Sequence, residues 1–261
     1  MATASLRVGC LVFANDYRNP AVLAKELATI DLLSGGRVEV GLGAGWMASD
    51  YAHSGIPFDP PGTRVSRLME SVEVMKALWS DGPVQYRGAY YQVEGNDGLP
   101  KPVQRPRPPL LVGGGSRRLL KFAGQEADIV GINMARPRND SSANLDLTEF
   151  SAEAVDTKIG WIKQGAGGRF DNLELSIIVR IVATTDDRRD FAQGLVASLG
   201  SENEHLSTDE ILTSPFVLAG TLDEQIATLE ERRARWGLSY YVFKDSDVDD
   251  VAPVVEQLAG R

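Results

Sequence analysis

Along the chain the spacing of apolar residues switches repeatedly between a period near two and a period near 3.6, the signature of strands interleaved with helices. Residues 6–13 (LRVGCLVF) are β-branched and apolar over the length of a strand. Asn19-Pro20 then reads as a helix start, with the asparagine as N-cap and the proline at the first helical position. Leu23, Leu27 and Ile30 give that helix one apolar stripe, and Ser34-Gly35-Gly36 stops it. In residues 37–43 (RVEVGLG), Val38, Val40 and Leu42 share one face of a strand, and Glu39, Gly41 and Gly43 share the other. A second amphipathic helix covers residues 64–80, where Val65, Leu68, Met69, Val72, Met75 and Trp79 recur at helical spacing as plain core. Residues 84–93 (VQYRGAYYQV), pivoting on Gly88, read as a β-hairpin inserted into the alternation.

The same alternation continues in the second half. A proline-rich connector over 100–109 leads into Leu110-Leu111-Val112 and Gly113-Gly114-Gly115-Ser116, from which a helix runs to about residue 125. Residues 128–133 (DIVGIN) form a short buried strand, residues 135–151 a long polar loop able to act as a lid, and a helix precedes Gly165. Residues 173–183 (LELSIIVRIVA) read as one strand, and 207–215 as irregular or briefly helical. Thr221-Leu222-Asp223-Glu224 is a capping box that opens a helix with Leu222, Ile226, Leu229 and Trp236 on its apolar face. Gly237 ends it, 239–243 is a strand, and 251–258 a closing helix. Six strands separated by helices, with no break in composition, predict one α/β domain with a parallel sheet and right-handed crossovers. A closed (β/α) barrel takes eight strands. Either two units are missing from this chain or the sheet is open.

Composition narrows the chemistry. The 261 residues carry 27 Lys+Arg against 36 Asp+Glu, a net charge of -9. That balance argues against nucleic acid or an anionic membrane surface as a partner. No apolar run is long enough to span a bilayer, and no charged-then-apolar leader precedes the first strand, so a cytoplasmic protein is expected. One cysteine, Cys10, and two histidines, His53 and His205, leave no internal disulfide, multi-cysteine metal site or histidine cluster, so no metal site is expected. Glycine is abundant, with 26 residues, and concentrates at particular turns. This points to main chain cradling a cofactor that carries the chemistry itself.

Gly41-Leu42-Gly43-Ala44-Gly45 follows a strand, but the dinucleotide fingerprint fails. The spacing is G-x-G-x-G, and a loop rather than a helix is expected after the last glycine. The turn reads either as a strand end where missing Cβ atoms let a flat ring lie against main chain, or as a tight packing turn. Gly113-Gly114-Gly115-Ser116 joins a strand to a helix N-terminus, which suits a phosphate or is an ordinary connection. Lys101, Arg105, Arg107, Arg117, Arg118 and Lys121 form a basic window with no acidic residue among them, suggesting a nearby anionic ligand or a solvated face. Arg7 and Glu39 read as a structural ion pair, Cys10 as a small buried apolar residue and His205 as surface. His53 is either solvated or within reach of a pocket beside the first glycine turn.

These residues carry a family resemblance. The run NPAVLAKELATIDLLSGGRVEVGLGAGW (residues 19–46), with Gly88-Ala89-Tyr90-Tyr91, Pro108-Pro109-Leu110-Leu111-Val112-Gly113-Gly114-Gly115-Ser116 and Ala127-Asp128, resembles the luciferase-like oxidoreductases. These are flavin- or deazaflavin-dependent (β/α)8 TIM-barrel enzymes, and the sequence looks most like the actinobacterial branch that uses coenzyme F420. The resemblance implies a bulge with a non-proline cis peptide at Leu11-Val12, behind the cofactor ring. It implies that Gly43, Ala44 and Gly45 border the ring and its side chain, and that Gly114, Gly115 and Ser116 receive the phosphate. The implied activity is hydride transfer between F420 and a small organic substrate, by a homodimer. With FMN instead, the same scaffold would be a two-component monooxygenase served by a partner reductase.

The resemblance also aligns residues 6–13 with the third barrel strand. The first two βα units, roughly sixty residues at ~30 per unit, are then missing, and a truncated barrel with six of its eight strands is expected. Those units supply the groups beside the reactive carbon in relatives, so no catalytic residue carries over. Two rivals stand beside this reading. One is a flavin-binding relative that no longer turns over. The other is a phosphate-handling barrel isomerase or aldolase using Lys244, the lysine close after the last strand.

Overall fold

A computed structural model describes residues 3–135, 147–198 and 207–260, which fold as an α/β protein dividing into two compact units. The first unit takes the described residues up to 113 together with 126–129. The second takes 114–125, 130–135 and the described residues from 147 onward.

In the first unit, β1 (Val8–Gly9) and β2 (Phe13–Ala14) both lie parallel to one partner, β3 (Val38–Gly43). The single strand expected over 6–13 is therefore broken. Gly9 to Phe13 is a step of four residues, whereas their partners Glu39 and Leu42 are three apart, so one extra residue bulges out between them. The Leu11–Val12 peptide inside that bulge is cis, as the resemblance implies. The expected ion pair joins Arg7 Nη1 to Glu39 Oε1 at 2.6 Å.

α1 (Pro20–Ser34) starts where the sequence places it, the Asn19 side chain accepting from Ala21 N at 2.9 Å, and ends at Gly35 with φ 70°. Leu23 and Leu27 are buried, but Ile30 is 46% exposed. The buried face also takes Pro20, Ala24, Ala28 and Asp31, and this places Ile30 beyond its edge. α2 (Ala48–His53) forms in the stretch expected to be loop, and α3 (Pro61–Trp79) follows. Trp79 Nε1 donates to Ala24 O at 3.0 Å, fastening α3 to α1. β4 (Val84–Arg87) and β5 (Gln92–Asn96) form the expected hairpin, and β6 (Leu110–Gly114) runs parallel to β3.

The second unit begins with α4 (Arg117–Glu126), β7 (Ile129–Ile132), α5 (Ala152–Ala166) and β8 (Glu174–Ile178). It continues with β9 (Ile181–Thr184), α6 (Arg188–Ser198), α7 (Thr208–Thr213) and β10 (Val217–Gly220). α8 (Leu222–Trp236), β11 (Leu238–Val242) and α9 (Val248–Leu258) complete it. Its strands run β7-β8-β11 in one sheet, with β9 and β10 paired separately and in parallel. The run read as one strand over 173–183 breaks at Val179 and Arg180. Val179 N still donates to Val242 O on β11, while Arg180 N and Ile181 N turn to Phe216 O. α6 and β10 were not expected from the sequence. Only Ala192 of α6 is buried, and β10 is four residues long, so neither has a strong periodic signal.

The Thr221 capping box forms with Glu224, and Leu229 and Trp236 of α8 are buried. Arg232, on the same helix and also buried, donates to the carbonyls of Ser214, Pro215 and Val217, and burial pushes its guanidinium down to about 10. Among the described residues no helix is long and apolar enough to cross a membrane.

One helix pairing has a readable pH dependence. Asp156 on α5 accepts from Arg235 Nη2 and Trp236 Nε1, both at 2.6 Å. Partial burial raises its carboxyl, but these bonds and the Arg235 charge outweigh that and hold it below the ordinary 3.8. A carboxyl depressed in the folded state contributes fully above its unfolded value and loses that contribution as pH falls through the folded one. The pair is solvent-facing, so it is worth under about 1 kcal/mol. Asp156→Asn should therefore lower the melting temperature slightly at neutral pH. The gap should close in melts below about pH 4, and a gap that widens in acid would contradict the assignment.

Candidate functional site

The two glycine turns follow parallel strands, one in each unit. After β3, the structure brings Leu11, Val12 and Gly43 together. Val12 Cγ2 lies 2.6 Å from where a Gly43 Cβ would sit, so the space freed by that glycine is filled by a valine methyl group. Leu11 is 44% exposed. Gly45 has φ 72°, and a Cβ there would fall on the Tyr51 hydroxyl.

Residues that the sequence reading did not single out hold this turn. Arg64, in the first turns of α3, is buried and donates Nε to Asp59 O at 2.9 Å and Nη1 to the carbonyls of Ala44 and Gly45. Tyr51, on α2 and fully buried, donates its hydroxyl to Asp16 Oδ2 at 3.0 Å and lies 3.3 Å from Ala44 O. Burial and the neighbouring Asp16 charge push the Tyr51 phenol well up, so it remains a donor.

Asp16 is in turn gripped by Arg67, Nε to Oδ1 at 2.8 Å and Nη2 to Oδ2 at 2.9 Å, while Arg67 Nη1 reaches Asp59 Oδ2 at 2.9 Å. Asn15 Nδ2 donates to the Tyr91 hydroxyl at 3.1 Å. Glu70 accepts the main-chain N–H groups of Ala89, Tyr90 and Tyr91, which secures the hairpin to α3. A cavity of about 270 Å³ opens among Asp16, Ile56, Pro57, Asp59, Arg67 and Tyr91. Arg64 and Arg67 are three apart on a helix whose apolar positions alone were read, and their polar spacing was the available signal.

His53 ends α2 as an exposed side chain. Cys10 is half-buried, and burial pushes its thiol up against a smaller opposing pull from Arg18, which fits an inert packing residue. His205 and most of the loop expected over 135–151 lie outside the described residues.

After β6, Gly114 O accepts Asn133 N at 3.0 Å, and Gly115 is buried against the main chain of residues 133–135, where no Cβ would fit. Ser116 is exposed, and its carbonyl accepts the first α4 hydrogen bond from Leu120 N at 2.9 Å. Ser116 thus occupies the N-cap position, at the positive end of a ten-residue helix. Asn133 Oδ1 accepts from Arg180 Nη2 at 2.9 Å, and Lys244 Nζ donates to Arg180 O at 2.8 Å. The lysine weighed as a catalytic amine is thus bonded to a main-chain carbonyl.

Half of the basic window has local partners. Lys101 Nζ bonds the carbonyls of Leu78 and Ser80 at the end of α3, where a cation also complements the helix dipole. Arg105 lies 3.8 Å from Asp81, and Arg107 pairs with Asp128. These three fix the proline-rich connector, and only Arg117, Arg118 and Lys121 belong to α4.

Comparison with known proteins adds four relationships. The luciferase-like monooxygenase family model matches residues 1–236. An F420-dependent glucose-6-phosphate dehydrogenase of Amycolatopsis mediterranei is 35% identical over 127 residues, 48% of this chain and 38% of its own. An FMNH2-dependent dimethylsulfone monooxygenase of Pseudomonas putida is 32% identical over 127 residues, 49% of this chain and 35% of its own. The chain thus spans well under half the length of these curated relatives. In fold, it superposes on the coenzyme F420-dependent tetrahydromethanopterin reductase of Methanopyrus kandleri with a TM-score of 0.74 and 20% identity. That likeness covers 98% of this chain and 83% of the reductase.

Proposed function

Because the chain belongs to the luciferase-like monooxygenase family, a family of oxidoreductases, we propose that it transfers a hydride between coenzyme F420 and a small organic substrate. The observation that carries this reading is the β6–α4 turn. Gly115 lies too close to neighbouring main chain for a side chain, and Ser116 is exposed at the head of α4. Together they offer main-chain N–H groups, a hydroxyl and a helix N-terminus to a phosphate. Gly114, Gly115 and Ser116 are the residues that would hold that group. For the ring, the family resemblance implies Leu11, Val12, Gly43, Ala44 and Gly45. When bound, the cofactor supplies the redox chemistry. The chain's own polar groups near the first turn are engaged with one another, Tyr51 with Asp16 and Asp16 with Arg67, so they orient main chain rather than exchange protons.

The likeness to the dimethylsulfone monooxygenase supports a second reading, in which FMN replaces F420 and a separate reductase supplies reduced flavin. A cytoplasmic homodimer without nucleic-acid or membrane partners belongs to either reading. Fluorescence titration of the 261-residue protein with each cofactor separates them. F420 should bind at least about tenfold more tightly than FMN. Tight binding of FMN with no response to F420 would replace hydride transfer by monooxygenation. Retention of either cofactor without turnover of any substrate would favour the inactive relative.

A further inference from the structure

Residues 133–135, which follow β7 in the second unit, form the surface against which the glycines of the β6–α4 turn rest. Asn133 N donates to Gly114 O at 3.0 Å, and a Cβ on Gly115 would meet Ala135 N, Asn133 O and the Met134 carbonyl carbon. Each of the three successive N–H groups has its own acceptor. Met134 N donates to Asn133 Oδ1 at 2.9 Å, and Ala135 N to Glu149 Oε2 at 3.2 Å. Both of these side-chain acceptors are held in turn by a cation from another element.

Lys158, on α5 and 1% exposed, donates Nζ to the same Glu149 oxygen. Arg180, between β8 and β9, donates Nη2 to Asn133 Oδ1 at 2.9 Å. Its main chain is pinned on both sides, N to Phe216 O at 2.8 Å and O from Lys244 Nζ at 2.8 Å. Burying a lysine is costly, and an ion pair offsets that cost only when its geometry is good, so the Lys158–Glu149 pair is better explained by what it holds in place than by stability. What it holds is the support of the glycine turn. Successive glycines carry no side chain that could fix their main chain, so the conformation of the turn is set by what it leans on. Donors already held in position bind an anion without a further ordering cost.

We infer that Lys158 and Arg180 are positioning residues: acting through Glu149 and Asn133, they hold residues 133–135 in place and so fix the β6–α4 turn in the form that binds the cofactor's phosphate. This rests on the proposed cofactor reading and adds to it the residues that decide how much the phosphate contributes to affinity.

Dissociation constants of FMN against riboflavin, and of F420 against its phosphate-free deazaflavin, measure that contribution in the 261-residue protein. In the wild type the phosphorylated member of at least one pair should bind about thirtyfold or more tightly. Three variants that conserve net charge separate geometry from the mere presence of cations: Glu149→Leu/Lys158→Met, Asn133→Ala and Arg180→Lys. The first exchanges the ion pair for apolar side chains of similar volume, which should leave the melting temperature near that of the wild type. Each should cut the phosphate preference to about threefold or less, while the phosphate-free ligand binds as before. A merely structural role would weaken both members of a pair in proportion and keep their ratio. Should Glu149→Leu/Lys158→Met fail to fold, the ratio in Asn133→Ala decides. Variants that keep the wild-type ratio overturn the inference alone, and so does a wild type that binds a cofactor with no preference for its phosphorylated form. A wild type that binds none of the four ligands overturns the functional reading and the inference with it.

Discussion

Gly115→Ala is expected to weaken binding of F420 or FMN by at least about thirtyfold and to destabilise the fold, by about 1–3 kcal/mol for forcing extra volume into a closed site. The added Cβ would lie 2.6 Å from the Asn133 carbonyl oxygen and equally close to the Met134 carbonyl carbon. Both are main chain, so no side-chain rotation relieves the collision and the β6–α4 turn must open. Ser116→Asp separates phosphate binding from stability. The exposed Ser116 site accepts a carboxylate without a clash, and an acid at the head of α4 should leave stability unchanged or raise it by about 0.3–1 kcal/mol. The same charge repels a phosphate, so affinity for either cofactor should fall about tenfold or more, and inorganic phosphate should compete with the cofactor in the wild type only. A Ser116→Asp protein that binds like wild type would remove the phosphate from this turn, whatever Gly115→Ala does.

The elements that sequence pattern located are those whose ends carry local chemistry. Asn19-Pro20, Gly35, the Thr221–Glu224 capping box and Gly237 each satisfy helix-end main chain by themselves, so neighbouring residues suffice to place them. The failures share the opposite property. In residues 173–183 the single Arg180 fits the polar face of one continuous strand, and the division into β8 and β9 is set by their partners, β11 and β10, which lie far along the chain. The strand expected over 6–13 breaks because its register on β3 slips by one residue, and register is a property of the pair. Asp31 lies inside the apolar run TIDLLSGG, yet it is fully buried and accepts from Val38 N, Gln104 N and Gln104 Nε2. A polar residue on a buried stripe announces that it has partners, but not which ones.

The candidate site divides in the same way. Its glycines were legible because turns and close approaches require them, and the β6–α4 turn could be read from strand, glycines and helix in sequence. Arg64 and Arg67 were hidden on a helix read for its core positions, and their partners Ala44, Gly45 and Asp16 come from other loops. In the basic window charge was counted along the chain, which says nothing of the partner each side chain meets. Lys101 and Arg107 had nearer partners in the carbonyls ending α3 and in Asp128.

The ion pair of buried Asp16 with partly buried Arg67, behind the first glycine turn, sets the other large expectation. Asp16→Ala should cost about 3–5 kcal/mol, the range for removing one partner of a buried ion pair, and should lower the melting temperature by about 10 °C. The Asp16 side chain is 3% exposed, and its removal strips Arg67 of two hydrogen bonds and leaves the Tyr51 hydroxyl without its carboxylate acceptor. Arg67 would keep only Asp59, which is open enough to solvent to remain hydrated by itself. Asp16→Asn, which preserves shape and one acceptor oxygen, should cost less. The double variant Asp16→Ala/Arg67→Met decides whether the loss is that of the pair or of a stranded charge. If the single change is costly because it leaves the partly buried Arg67 guanidinium with Asp59 alone, removing that guanidinium as well restores part of the lost stability, and the double variant melts higher than Asp16→Ala. Strictly additive losses in denaturant unfolding would instead mean that Asp16 and Arg67 act separately, and the support of the glycine turn through Tyr51 would then rest on Asp16 alone.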